Sequence, residues 1–186
     1  MSAYPTDSSM CDDRSVANWG TSTYGNPCCE CGFAWTTPID VGTALVLDVV
    51  NSIKEQVASS TGNERHPQLG WSVRAYVCHV GDNLRIWAER LAGVLDGGAV
   101  QVHGYDEQKL ARARHYDGIS LEAALLALSR AVGDWYDVVA RSPRSGVVMV
   151  HSERGELTLS DVVALNAHDC LHHYWDIETI LGRAER

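Results

Sequence analysis

The residues most able to do chemistry lie in the stretch HDCLHHYW, which spans residues 168–175. His168 and His172 are four positions apart in a segment with a helical pattern of apolar residues. Residues at i and i+4 share one face of a helix, with about 6 Å between their Cβ atoms, so two imidazoles at this spacing can bind one metal ion. Leu165 and Trp175 continue the same face, which predicts that the histidines point into a core.

A third histidine, His79, lies in the amphipathic segment CHVGDNLRIWAERL, whose face continues through Asn83, Ile86 and Arg90. Three inward histidines from two helices leave a fourth coordination position for water or substrate, which is typical of a catalytic rather than a structural metal site. Histidines on an apolar helix can also serve only as packing or surface residues, so the site is a hypothesis. The predicted metal ligands are His79, His168 and His172.

His173 directly follows His172 in the chain. One residue is a rotation of about 100° around a helix, so the two side chains point in different directions. We therefore interpret His173 as a residue at the boundary of the core rather than as a ligand.

Three neutral imidazoles leave a divalent ion with its full charge, so the ion is a strong Lewis acid that can activate a bound water or deprotonate a bound thiol. Zinc is the expected metal because imidazoles in tetrahedral geometry suit it, and nickel or iron accept the same ligands. A low-molecular-weight thiol is a possible cosubstrate of such a site.

Residues one turn from the histidines are candidates for supporting roles. Asp82 follows His79, and Asp176 follows His172, so either carboxylate could accept an imidazole N–H or be a solvated helix acid. Arg90 could hold a substrate carboxylate through two hydrogen bonds or form a surface ion pair. Asp82 and Arg90 are the candidate catalytic residues.

A cysteine cluster, PCCECGFAW, lies near the N-terminus and contains Cys28, Cys29 and Cys31. Cys28-x-x-Cys31 is half of a zinc knuckle, and no second pair in this polar stretch completes it. Three interpretations stay open: a second metal site that acts as a structural clip, a reactive thiol folded over the pocket, or no chemical role.

The bulk composition narrows the class of partner. A net charge of −9 and a pI near 5.2 argue against nucleic-acid binding, which needs a basic patch. No apolar run approaches the ~20 residues that span a bilayer, and the first residues lack the basic and apolar regions of a signal peptide. We therefore expect a cytoplasmic protein that acts on a small molecule. A homodimer is compatible with a small bundle, although no sequence feature specifies one.

The chain is predicted to have two parts: a polar arm at residues 1–37 and a helical domain at residues 38–183. Apolar residues at helical spacing predict four long helices. Three of them lie at about residues 39–59, 72–95 and 120–141, and the fourth follows Ser160, which is predicted to cap it. Two short runs of alternating apolar and polar residues around Gly155 predict a β-hairpin before the last helix. Residues 99–117 are predicted to form a polar, irregular connection. The expected fold is all-α, a four-helix bundle with an extended N-terminal arm.

The chain resembles the DinB/YfiT-like superfamily of small metal-binding four-helix bundles. The resemblance lies in two stretches and the long linker between them, and the stretches read LGWSVRAYVCHVGDNLRIWAERL and GELTLSDVVALNAHDCLHHYWDI. The superfamily includes mycothiol-dependent maleylpyruvate isomerases and bacterial thiol S-transferases. The resemblance implies a metal at one end of the bundle, with its three ligands falling on His79, His168 and His172. The isomerase subgroup has a glutamate among its metal ligands. In this chain the corresponding position carries His168, and this difference argues against the isomerase reaction.

These observations leave three hypotheses for function. The first is a metal-dependent enzyme of the thiol S-transferase type, in which a thiol or water attacks a small electrophile. The second keeps the metal but makes the protein a lyase, cyclase or hydrolase of a specialised biosynthetic pathway. The third is a metal-binding stress protein without catalysis.

Overall fold

The structure, a computed structural model, describes residues 20–98 and 100–183 of the chain. Four long helices form a bundle: α2 (Ile39–Gln56), α3 (Val73–Leu95), α5 (Leu121–Arg141) and α6 (Leu159–Ile180). Helix α3 packs mainly on α5 and α2 mainly on α6, while α3 also contacts α6. The predicted all-α bundle is confirmed, and the core lies between these four helices.

Three of the four bundle helices, α3, α5 and α6, begin where a capping side chain satisfies a first-turn backbone N–H group. Ser72 accepts from the Ala75 N–H at the start of α3, and Ser120 caps α5 in the same way. Helix α6 begins two residues earlier than a Ser160 cap implies. Thr158 and Asp161 form a reciprocal capping box there, which satisfies two backbone donors rather than one.

The connection between α3 and α5 is more ordered than its polar sequence suggests. It contains strand β1 (Gln101–Val102), helix α4 (Glu107–Ala113) and a single 3₁₀ turn (Tyr116–Gly118). The predicted hairpin is present as β2 (Val147–His151) and β3 (Gly155–Thr158), which pair antiparallel. Strand β1 adds to β2 in parallel, so the hairpin is the larger part of a three-stranded sheet with the order β1-β2-β3.

Residues 20–37 of the arm form a short helix, α1 (Thr21–Tyr24), followed by turns that pack against α6. The Trp35 backbone N–H donates to the Asn26 side chain, and its indole N–H donates to the Gly25 carbonyl. These bonds hold residues 24–35 in a compact loop. Within the described ranges, we find no helix with the length and hydrophobicity that crossing a membrane requires.

A buried polar contact joins α5 to α6 just before the histidine-rich turn. The Trp135 indole N–H donates to the Asn166 side-chain oxygen at 2.7 Å, and neither residue is exposed to solvent. Few orientations of an indole satisfy such a bond, so the contact helps to fix the rotation of α6 about its own axis.

Gly81 allows α3 and α5 to approach closely. A Cβ atom at this position would lie 3.3 Å from the Leu128 Cα and 3.4 Å from its backbone nitrogen. Backbone atoms in the middle of a helix cannot move aside as a flexible side chain can. The spacing of the two helices therefore depends on a missing side chain.

We expect Gly81→Ala to destabilise the fold by about 1–3 kcal/mol because overpacking forces the helices apart. Gly133→Ala is the matched control, since Gly133 lies mid-helix on α5 with open space around its Cα. That change should stabilise the protein by about 0.5–1 kcal/mol through helix propensity. Chemical denaturation of both variants measures the difference, and an equal effect at the two positions would contradict the packing argument.

Candidate functional site

Two groups of ligand-type side chains meet on the inner side of α6. His79, Asp169 and His173 form the first, called here the inner group. The second, called the arm group, consists of Cys28, Cys31, His168 and His172. Within each group, one ligand atom from every residue lies within 4.8 Å of the others. No further group of this kind occurs in residues 20–98 and 100–183.

The inner group is centred on a carboxylate oxygen. Oδ1 of Asp169 lies 3.5 Å from Nε2 of His79 and 3.6 Å from Nε2 of His173. Metal–ligand bonds of about 2.0–2.2 Å in a tetrahedron place neighbouring ligand atoms at about this separation. The His79 side chain is 1% exposed, and its Nε2 makes no well-formed hydrogen bond among the described residues, since the Asp169 oxygen at 3.5 Å is its nearest carboxylate contact. A buried imidazole nitrogen without a partner is costly, and a metal ion between the three residues would remove that cost.

Further polar contacts orient the inner group. Oδ2 of Asp176 lies 2.8 Å from Nδ1 of His173, which leaves Nε2 facing the group. The Asn83 amide donates to Oδ2 of Asp169 at 2.8 Å, which leaves Oδ1 facing the two histidines. Carboxylates and amides that hydrogen-bond to the non-coordinating atoms of metal ligands fix the orientation of those ligands and tune the charge of the site.

The charges of the inner group are complementary. Burial opposes ionisation of Asp169, but His79 and His173 outweigh it and hold the pKa of that carboxyl well below its usual range. Burial also opposes protonation of His79, and Asp169 outweighs it so that the pKa of His79 lies above its ordinary value. The group therefore holds a carboxylate that attracts positive charge, whether a proton or a metal cation supplies it.

The arm group joins the N-terminal segment to α6. Sγ of Cys28 lies 3.8 Å from Nδ1 of His172. A hydrogen bond with the Cys31 thiol, together with His168 and His172, holds the pKa of the Cys28 thiol well below its usual range. Burial opposes protonation of His172, but bonding to Cys28 and to Glu30 raises the pKa of His172 to about 10.

Two clefts border the α6 turn that carries these residues. The polar cleft, of about 170 Å³, is lined by residues that include Arg90, Tyr105, His151, Glu153 and Arg154. The aromatic cleft, of about 400 Å³, is lined by residues that include Trp71, Tyr76, His172, His173 and Trp175. His168 and Asp169 line both clefts, so a reactant in either one reaches the same turn of the helix.

The structure divides the predicted ligand trio between the two groups. His79 lies with Asp169 and His173, whereas His168 and His172 lie with the arm cysteines. His173, interpreted above as a boundary residue, belongs to the inner group. Asp169 and His173 are also four residues apart, so a second i,i+4 pair runs beside the first, and this spacing is the signal that the sequence interpretation missed.

The two candidate catalytic residues have different surroundings. Asp82 is 5% exposed and accepts from the Tyr116 hydroxyl at 2.6 Å and from Arg114 at 2.8 Å, which ties α3 to the α3–α5 connection. It belongs to neither group and lines neither cleft. Arg90 lies in the polar cleft, donates to the His103 carbonyl and stacks on the Trp87 ring at 4.7 Å.

Comparisons with known proteins agree with the fold. The sequence model of the DinB superfamily matches residues 44–177, so the chain belongs to the DinB superfamily. A solved structure, described as "YfiT from Bacillus subtilis is a probable metal-dependent hydrolase with an unusual four-helix bundle topology", is similar with a TM-score of 0.61 and 17% identity. The match covers 78% of this chain and 89% of that one. Among curated proteins, none matches.

We expect Asp169→Asn to weaken divalent-metal binding at the inner group by more than tenfold, a loss of at least about 1.4 kcal/mol. Asparagine keeps the shape of the side chain but removes the negative charge between two histidines. Asp134→Asn on α5, where Asp134 is exposed, is the matched control. Titration against a competing chelator measures both variants, and equal affinities would show that Asp169 is not a ligand.

The polar cleft contains a histidine that stays neutral in the folded protein. His151 is 3% exposed, and burial, together with the positive charges of Arg154 and Arg90, lowers its pKa from 6.5 to about 4. The unfolded chain therefore binds more protons at this residue between pH 6.5 and 4. The contribution of His151 to stability is complete above pH 6.5 and decreases as the pH falls through this interval.

His151→Asn should accordingly lose less stability than the native protein when the pH is lowered from 6.5 to 4. Asparagine can still accept the Glu153 N–H that His151 Nδ1 accepts at 3.2 Å. Urea denaturation at a series of pH values, with chelator present in every sample, isolates this effect from metal loss. Parallel curves for the two proteins would contradict a neutral buried His151.

Proposed function

We propose that the protein is a metal-dependent enzyme of the thiol S-transferase type, in which a low-molecular-weight thiol attacks a small electrophilic substrate. The observation that carries the proposal is the inner group, in which one carboxylate oxygen of the partly buried Asp169 faces two imidazole nitrogens at 3.5 and 3.6 Å. Two clefts open beside it.

The donor set fits a divalent ion. His79, Asp169 and His173 would hold it through two nitrogens and one oxygen, a combination that zinc accepts readily and that iron and nickel also accept. Three protein ligands are typical of catalytic sites, because they leave a position for a reactant. A bound ion would supply Lewis acidity, which lowers the pKa of a thiol or a water and so prepares either one for attack.

The residues around the inner group support this chemistry. Asp176 orients the His173 ring, and Asn83 holds Asp169 from behind. The Trp71 ring packs 4.9 Å from His79 and the Tyr76 ring 5.2 Å from His173, measured between centroids. Aromatic walls limit the access of water, which strengthens electrostatic interactions inside the site and disfavours hydrolysis in competition with transfer.

Two clefts that meet at Asp169 suit a reaction of two substrates. The aromatic cleft, at about 400 Å³, falls in the usual size range of small-molecule sites, and the smaller polar cleft suits a compact partner. In the proposed reaction the thiol sulfur forms a bond to an electrophilic carbon and the thiol proton passes to solvent. The leaving group departs with the electron pair of its own bond to that carbon.

The polar cleft carries two guanidinium groups that can bind an anionic group on one reactant, beside the carboxylates of Glu107, Glu153 and Asp169. Arg90 and Arg154 line it, and both guanidinium groups lie over the Trp87 ring, at 4.7 and 5.9 Å from its centroid. A guanidinium held in this way can bind a carboxylate or a phosphate. Arg90 is thus proposed as a binding residue for the substrate rather than as an acid or a base.

A hydrolase is the alternative with the most support, since the similar solved structure is described as a probable metal-dependent hydrolase. Such an enzyme would use water in place of the thiol and would need only one cleft. A non-catalytic metal-binding protein has less support, because it needs no cleft of 400 Å³ lined by Trp71, Tyr76 and Trp175 beside its metal.

Asp169 changes the comparison with the thiol-dependent isomerases. The pair Asp169 and His173 is shifted by one residue from the pair His168 and His172, to which the resemblance assigns the family's ligands. In the shifted register an acidic residue stands where the isomerase subgroup carries a glutamate. The ligand set therefore fits isomerisation and transfer alike.

The decisive experiment is a turnover assay with a panel of thiols and model electrophiles, on protein purified without a nickel column. We expect metal-dependent consumption of both reactants and its loss in Asp169→Ala and His173→Ala. His103→Ala is the matched control, because His103 is exposed and belongs to neither group. Metal-dependent turnover that needs no thiol would favour the hydrolase, and no metal-dependent turnover with any thiol would refute the transferase.

With an active pair of substrates in hand, Arg90→Gln should lower kcat/KM for an anionic electrophile by about 10–100-fold, since a charge-assisted hydrogen bond contributes about 1.5–3 kcal/mol. A neutral analogue of the same electrophile should be affected little. Arg112→Gln, an exposed change on α4, controls for the loss of one positive charge. Equal losses for the anionic and neutral substrates would assign Arg90 a purely structural role.

A further inference from the structure

We propose that Cys28, Cys31, His168 and His172 bind a structural zinc ion that clips the N-terminal arm onto α6. This site is distinct from the inner group and does not depend on the proposed activity. The proposal corresponds to the structural clip, one of the three interpretations of the cysteine cluster. The second pair of ligands comes from helix α6, about 140 residues further along the chain than the cysteines.

The ligand spacing is that of a Cys₂His₂ zinc site. Two cysteines separated by two residues and two histidines separated by three match the usual pattern of such sites. The four ligand atoms lie within 4.8 Å of one another, and the Cys28 sulfur lies 3.8 Å from Nδ1 of His172. In a zinc tetrahedron these separations are about 3.3–3.8 Å, so a small contraction would complete the site.

His168 provides a second, independent observation. Its side chain is 6% exposed, and its Nε2 has no hydrogen-bond partner among the described residues. Three aromatic rings from the arm surround the imidazole, with Tyr24 and Trp35 at 4.5 Å and Phe33 at 5.8 Å between centroids. A histidine placed in such apolar surroundings needs a partner, and zinc coordination would supply one.

His172 is oriented as zinc-bound histidines usually are. Its Nδ1 faces the Cys28 sulfur, while its Nε2 lies 2.9 Å from Oε2 of Glu30. A carboxylate on the far nitrogen fixes the ring and makes the near nitrogen a better ligand. Glu30 lies between the two cysteines in sequence. One short loop therefore provides two thiol ligands and the carboxylate that contacts His172.

The backbone holds the two cysteines in a tight loop. The Cys28 N–H donates to the Phe33 carbonyl at 2.8 Å, and the Gly32 N–H donates to the Cys28 carbonyl at 2.9 Å. Gly32 has a φ of +73°, a left-handed conformation that residues with a side chain rarely adopt. The loop is therefore closed by its own hydrogen bonds, which brings both sulfurs to α6 with little further loss of freedom.

A structural ion accounts for this group better than a reactive thiol. Four protein ligands would fill the coordination of zinc and leave no position for a reactant. Cys28 is also only 2% exposed, whereas a nucleophilic thiol has to be reached by its substrate. The clip would hold Tyr24, which lines both clefts, so the arm becomes part of the wall of the candidate active site.

The first measurement is elemental analysis of untagged protein, made on the native chain and on matched variants. We expect Cys28→Ser with Cys31→Ser to lose one equivalent of zinc per chain and to keep the metal of the inner group. Asp169→Ala should show the opposite pattern, so failure of one site is distinguishable from failure of the other. Cys78→Ala removes a thiol outside both groups and should lose no metal.

Two further measurements do not depend on how well the double variant folds. Cobalt-substituted native protein should show a sulfur-to-cobalt charge-transfer band, weakened in Cys31→His, which keeps four ligands but loses one sulfur. Alkylation of Cys28 and Cys31 in native protein should be blocked until a strong chelator is added. A missing charge-transfer band, or fast alkylation of Cys28 that chelator does not change, would overturn the zinc clip and favour the reactive thiol.

Discussion

The structure depends on two adjacent rows of ligand-type side chains that helix α6 holds in buried or partly buried positions. His168 and His172 form one row, and Asp169 and His173 form the other, about 100° further around the helix. Neither row can pack against apolar side chains alone, since buried polar atoms without partners are costly. A different segment faces each row. Helix α3 places His79 beside Asp169 and His173, and the arm places Cys28 and Cys31 beside His168 and His172. The positions of the arm, of α3 and of both clefts follow from that division.

Much of the bundle could be predicted because its signals are local. Runs of apolar residues at helical spacing, with Ser72 and Ser120 before two of them, place the starts of α3 and α5 within a residue of where they occur. Strand β1 could not be predicted, since it has only two residues and is stabilised by β2, a strand that lies far along the chain. The α6 cap was placed two residues late because Ser160 and Thr158 are both good caps, and only Thr158 makes the reciprocal bond with Asp161.

The structure places the histidines singled out from the sequence in two groups of ligand-type side chains, and this grouping could not be obtained from helical spacing. Spacing specifies which side chains share a face, not which neighbour covers that face. The element that covers His168 and His172 is the arm, which has no periodicity and lies outside residues 44–177, the range that matches the superfamily. Family resemblance therefore supports the bundle and α3, and it carries no information about the cysteines.

The order in which the chain is made has a consequence for both groups. The arm and α3 leave the ribosome well before α6, and a domain generally folds as a unit. Until α6 is made, Cys28 and Cys31 have no histidine partners and His79 has no carboxylate beside it. Both groups are therefore completed in one late step, and a nascent chain that stops before α6 contains the two thiols and His79 without the α6 residues of either group.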